Sequence, residues 1–142
     1  MPVSTEAAST GPTGPRGQRL LRPLLVVHGV VTLLAAVVLV AAPSAIPATV
    51  GIVIEGDDVL LPYLLGAAEL AIALLSFGAA RLRDPSGVNL IVLAFIVFHL
   101  VTGLLEAAYL GLTGFSGSLA ANIGVRVVVA GAFFGAWRAQ RH

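Results

Sequence analysis

Four long apolar runs organise the chain: Leu20–Ala42, Val59–Ala80, Val88–Leu110 and Leu119–Trp137. Each holds 19 to 23 residues, and at about 1.5 Å per residue such a run crosses a hydrocarbon core of about 30 Å. Backbone N–H and C=O groups in lipid must be satisfied within their own segment, so each run is expected to be a helix. Pro23 and Pro62 lie near the start of a run, where a missing N–H costs little. The second and third connections are short, which forces antiparallel neighbours. The expected fold class is all-α, an integral membrane four-helix bundle running up-down-up-down.

Outside the runs the pattern changes. Residues 1–19 are rich in Ser, Thr, Pro and Gly without apolar periodicity, which reads as a disordered tail before a transmembrane domain over 20–142. Arginines before the first run and Ala-Ala-Pro-Ser-Ala after it also fit a signal peptide. Its apolar core exceeds the usual length of about 7–15 residues, and Pro43 directly after the best cleavage position, Ala42, hinders cutting; a retained helix is expected. The longest connection, Pro43–Asp58, contains a TVGIVI stretch, Thr49–Ile54, expected as a short strand or an interfacial segment. Glu55, Asp57 and Asp58 precede the second run and suit a solvated helix start; external cation binding is the sharper alternative.

Composition fixes the solvent. The chain is 58% hydrophobic and 11% charged, against about 45–50% and about 25% for soluble domains, which excludes a soluble or a disordered protein. The absence of Cys excludes disulfide frameworks, zinc–cysteine sites and cysteine-based quinone reduction. A net charge of +1 without a basic, aromatic-interleaved patch leaves no footprint for a nucleic-acid partner. No phosphate-binding loop, dinucleotide glycine signature, nucleophile elbow or metalloprotease helix occurs, so no catalytic residue is assigned. Arg16, Arg19 and Arg22 precede the first run, Arg81 and Arg83 lie between the second and third, and Arg138 and Arg141 end the chain. The other two connections carry no Lys or Arg. This positive-inside pattern predicts a cell (inner) membrane protein with both termini cytoplasmic. Eight arginines and no lysine suit a GC-rich bacterial genome.

Candidate chemistry lies in the few ionisable residues at membrane depth. With each run's middle as the midplane, Glu69 and His99 fall near the centre and Arg126 within about 3 Å of it. His28 falls about 5–8 Å toward the cytoplasm, and Glu106 about 10 Å toward the outside. Each charge costs at least about 2.5–3.5 kcal/mol in lipid, so all should face the bundle interior. Helical spacing agrees: His28, Thr32 and Ala35 share a face, as do Glu69, Ala73 and Ser76, and His99, Gly103 and Glu106; Asn122 and Arg126 are an i, i+4 pair. An Arg126–Glu106 pair supported by Asn122 would leave Glu69 without a permanent countercharge. Glu69 is then expected as neutral glue bonded to a His, Ser or Thr, as part of a head-group site, or as a proton-coupled group.

Two histidines on parallel helices also raise bis-His haem ligation, which needs both imidazoles near one depth on opposite faces of the macrocycle. The axial offset argues against it. Metal-dependent oxidation would want more than two buried His, so neither haem nor metal is expected. Small residues form a second pattern. Gly124, Gly131 and Gly135 lie roughly opposite Arg126, and Gly103 begins a similar stripe on the third run; these favour close helix packing within the chain, with a homodimer through the fourth helix or another membrane subunit as the alternative. The expected role is an accessory or interaction subunit, or a binder of a small amphiphile such as a quinone or lipid. A proton-coupled transport component with a titrating Glu69 is the alternative.

The stretch LLGAAELAIALLSFGAARLRDP, followed by VLAFIVFHLVTGLLE, resembles the small four-helix DoxX-like bacterial membrane proteins and related four-helix domains of unknown function. The likeness spans Leu64–Leu110 and rests on Gly66, Glu69, the Arg81–Pro85 turn and His99. It implies a membrane subunit accessory to oxidase or redox-stress systems, and it transfers no catalytic residue. Arg126 has no match in that pattern.

Overall fold

The computed structural model describes residues 16–140; of the tail expected over 1–19, residues 1–15 lie outside them, as does Arg141, and 16–19 are helical rather than disordered. Four long helices form the bundle: α1 (Arg16–Ala41), α3 (Leu60–Arg81), α4 (Pro85–Thr113) and α5 (Gly117–Arg138), with a five-residue helix α2 (Ala45–Thr49) between the first two. All four long helices are long and apolar enough to cross a membrane. The chain is a multi-pass membrane protein.

The hairpins follow from local chemistry. Asp84 caps α4 with both carboxylate oxygens, accepting from Ser86 N at 3.1 Å and Gly87 N at 2.8 Å, and Pro85 occupies the first helical position. Between α4 and α5, Gly114 adopts φ +96, which side-chain-bearing residues rarely adopt, and Ser116 caps α5 through Leu119 N. Both connections are three residues long, so α3/α4 and α4/α5 are antiparallel. The closest pairings are α1 with α3 and α4 with α5; α1 with α5 and α3 with α4 join them more loosely. Close approach of α1 and α3 depends on small residues: a Cβ at Gly29 would lie 2.8 Å from the Phe77 ring, and one at Gly66 3.1 Å from Val40.

The helices otherwise match the expected runs to within two residues at each end, and larger differences occur at α1, α4 and the TVGIVI segment. Helix α1 begins at Arg16 rather than Leu20, because Arg and Gln are strong helix formers that extend the apolar run by a turn. Helix α4 is longer at both ends and, at 29 residues, is the longest element. The TVGIVI segment forms no strand; its first residue ends α2 and the rest turns through Gly51, at φ +80, into an extended stretch. A lone strand has no ladder to join, and among the described residues no other strand exists. Glu55 precedes, and Asp57 and Asp58 lie within, an exposed 3-10 turn, Gly56–Val59, that leads into α3.

The bundle is apolar outside and partly polar inside. Leu34, Leu61, Leu104 and Val128 face outward, each at least 60% exposed, while His28, Thr32, Ser76 and His99 are buried. This inversion of a soluble protein suits helices bathed in lipid. The buried positions of α1, at 21, 25, 28, 29, 32, 36 and 39, keep a single helical stripe. The main aliphatic and aromatic cluster, with Leu21, Leu25, Val92, Phe95 and Phe133 at its centre, lies in the half nearer the α3–α4 turn; Ala36, Leu39, Ala73 and Leu119 are buried outside it.

Candidate functional site

Going from the α3–α4 turn toward the α1–α3 connection, the interior changes from apolar to polar in two layers. The first joins three helices. His28 Nδ1 lies 2.8 Å from Ser76 Oγ, and His28 Nε2 lies 3.0 Å from His99 Nε2. Ser76 donates its hydroxyl to Ile72 O at 2.8 Å. Bond directions follow from this last contact. With its hydrogen given to Ile72, Ser76 Oγ accepts from His28 Nδ1–H, so His28 Nε2 is the acceptor and His99 Nε2–H the donor. His99 Nδ1 then carries an unshared lone pair, and it is buried without a partner. The reverse order would bury an unpaired N–H instead, the costlier orphan. Phe95 and Phe133 hold the His28 ring, at centroid distances of 4.8 and 5.2 Å. Thr32, one turn on, is satisfied by its own helix, donating to His28 O at 2.9 Å.

The second layer is ionic. Arg126 Nε donates to Glu106 Oε1 at 2.8 Å, and Asn122 Nδ2 donates to the same oxygen at 2.9 Å. Both partners of the ion pair are mostly buried, with 19% and 18% of their side chains exposed. Gly103 packs on the Arg126 stem, where even a Cβ would sit 3.7 Å from Arg126 Cβ. Two groups are left over. Glu106 Oε2 is buried without a partner, and the terminal nitrogens of Arg126 make no hydrogen bond among the described residues. Glu69 is half-buried on α3, and the Arg126 charge acts on it and on His99. No hydrogen bond among the described residues joins Glu69 to the histidines, Ser76 or Thr32.

Beyond this layer the bundle opens into a cleft of about 380 Å³. Arg126, Glu106 and Asn122 form its polar wall; Leu65 and Leu105 line its sides, and Ile52 from the α1–α3 connection lies across it. The volume is in the range of about 300–1,000 Å³ typical of small-molecule sites.

Two expectations are corrected. The histidine rings are not separated by the axial offset that argued against haem: they meet edge to face, with ring planes at 80°. Helix α1 takes in Arg16–Arg19 as well as the apolar run, so its middle falls beside His28, while α4 extends equally at both ends and keeps its middle at His99; side chains also lean along a helix axis, so Cα depth misjudges where rings touch. No space for a macrocycle lies between the two rings, since each Nε2 faces the other at hydrogen-bond distance and Phe95 and Phe133 close the flanks of His28. The glycines also divide. Gly103 packs within the chain as expected, but Gly124, Gly131 and Gly135 have open space where a Cβ would go. The inward face of α5 belongs instead to Ala130, Phe133 and Ala136. Among the described residues no cluster of three metal-ligating side chains occurs, the Glu55, Asp57 and Asp58 group included. Ser76 was placed on the right face by its spacing from Glu69; that it would bond His28 had no signal in the sequence.

Comparison with protein-family models, with curated proteins and with solved structures gave no match.

Proposed function

We propose that the chain is a bacterial inner-membrane protein, termini cytoplasmic, that binds a small neutral amphiphile of the quinone or quinol class. One observation carries this reading: the cleft joins an apolar lining to a polar wall holding one spare donor set and one spare acceptor. A carbonyl on the ring accepts from the terminal nitrogens of Arg126, and a ring hydroxyl donates to Glu106 Oε2. A hydrocarbon tail follows the leucines toward lipid. A phosphate head group suits the wall less well, because its anionic oxygens would face the Glu106 carboxylate, and like charges oppose binding. The arginine pattern supports the orientation, and the DoxX-like resemblance of Leu64–Leu110 supports a role as a membrane subunit.

The test is a titration of the detergent-purified protein with decylubiquinone, followed by native mass spectrometry and by the melting temperature. Saturation at about 100 times Kd should raise stability by about 2.7 kcal/mol. Leu65→Trp fills the cleft without touching the ion pair and should abolish the gain. Arg126→Gln combined with Glu106→Gln keeps the wall uncharged and should weaken binding about tenfold or more, since hydrogen bonds to charged groups contribute about 1.5–3 kcal/mol. Equal binding by the wild type and Leu65→Trp would overturn the proposal.

A further inference from the structure

A second cleft, of about 270 Å³, opens at the opposite end of the bundle. Its floor is Leu21, Leu25 and Ala79, each no more than 2% exposed, and its rim carries Arg22 from α1, Arg83 from the α3–α4 turn and Gln140 after α5. Both arginines are exposed, and among the described residues neither makes an ion pair or a side-chain hydrogen bond. The acidic residue beside them is already engaged. Both oxygens of Asp84 accept the Ser86 and Gly87 amides at the start of α4, so those amides are closed to a ligand, and among the described residues Asp84 forms no ion pair with Arg83. Two guanidinium groups from separate elements, neither partnered among the described residues, thus face one concavity with an apolar floor.

We infer that this cleft is a binding site for the phosphodiester head group of an anionic phospholipid. The chemistry follows from the parts. A guanidinium presents a planar fork of N–H donors that matches phosphate oxygens two at a time. Basic pockets between membrane helices bind anionic lipid head groups in this way. The floor selects between sources: a free phosphate ion has no use for Leu21 and Leu25, whereas the glycerol and first methylenes of a lipid would cover them. The site is separate from the amphiphile cleft and does not depend on the proposal made for it. Its charge balance is also opposite, with two cations and no carboxylate among the described residues that line it.

The full chain, reconstituted in phosphatidylcholine vesicles with and without phosphatidylglycerol, tests this by native mass spectrometry of the lipids retained on release. Wild type should retain phosphatidylglycerol over phosphatidylcholine, and R22Q/R83Q should lower that preference about tenfold. R81Q/R138Q removes the same charge from exposed arginines at the same end that do not line the cleft, and should leave most of the preference. An equal loss in both double variants would mean diffuse attraction to the membrane surface and would overturn the site. Inorganic phosphate at 10-fold excess over the lipid is the remaining arm. Failure to displace phosphatidylglycerol supports the lipid assignment, and full displacement overturns it in favour of a free anion.

Discussion

The two halves of the bundle are made by the same four helices and differ in what those helices turn inward. Toward the α3–α4 turn they present Leu25, Val92, Phe95 and Phe133, all at most 3% exposed, and the interior is closed. Toward the α1–α3 connection they present Glu69, Glu106, Asn122 and Arg126, and the interior opens into the larger cleft. In water the closed half would be ascribed to the hydrophobic effect, but lipid is as apolar as leucine, so within the membrane its stability rests on close packing. The polar half keeps close packing between α1 and α3 at Leu39 and Gly66 and adds charge-assisted hydrogen bonds among groups that lipid would not tolerate singly. Packing therefore gives rigidity in one half, and in the other the unmet hydrogen-bonding capacity gives a place for a ligand.

The same truncation in each half probes this difference most strongly. Leu25→Ala should cost about 4 kcal/mol, and Leu119→Ala, on the cleft wall, about 2 kcal/mol, because a wall residue leaves a smaller new void; midpoints of denaturant unfolding in detergent measure both. Equal losses would mean that the cleft half is packed as tightly as the other. Next comes Arg126→Ala, which strands the Glu106 carboxylate. Because both side chains are partly exposed the loss should be about 1–3 kcal/mol, and adding Glu106→Gln should recover most of it. An unmoved melting temperature in the single variant would remove the ion pair from the account.

At the boundary between the halves, Ser76→Ala takes the acceptor from His28 Nδ1–H and should cost about 1 kcal/mol. Nitrogen NMR of labelled histidine should show His28 protonated at Nδ1 and His99 at Nε2, and the opposite assignment would reverse the bond order derived above. The smallest effect is expected on the outer face. Gly131→Ala meets nothing within the chain and should range from neutral to about 1 kcal/mol stabilising, from helix propensity. A clear loss there would reveal a covering partner.

Much of the closed architecture was legible in the sequence, because a 30 Å slab of hydrocarbon imposes a length on every crossing helix. The Arg126–Glu106 pair was legible too: a lone arginine at membrane depth must reach a carboxylate, and helical spacing put both on inward faces. The His28–His99 contact was not. It depends on side-chain lean and on the extension of α1 into the polar residues 16–19, neither of which the apolar run alone reports. Glu69 shows the same limit: its depth and face were readable, but which groups would bond it depended on contacts between helices. The open stripe of Gly124, Gly131 and Gly135 was misread because small residues mark an approach without saying from which side. The cleft at the basic end escaped altogether, since Arg22 and Arg83 read along the chain only as markers of membrane orientation.

The donor sequence from His99 through His28 to Ser76 finishes on Ile72 O, a main-chain carbonyl. An amide oxygen accepts a hydrogen bond but does not take on a proton and release another onward. A proton hop entering at His99 therefore meets a dead end three groups later. Conduction across the membrane cannot run along this line, however well aligned its hydrogen bonds are. What the line does is tie α4 to α1 and α1 to α3, closing the packed half against the cleft above it.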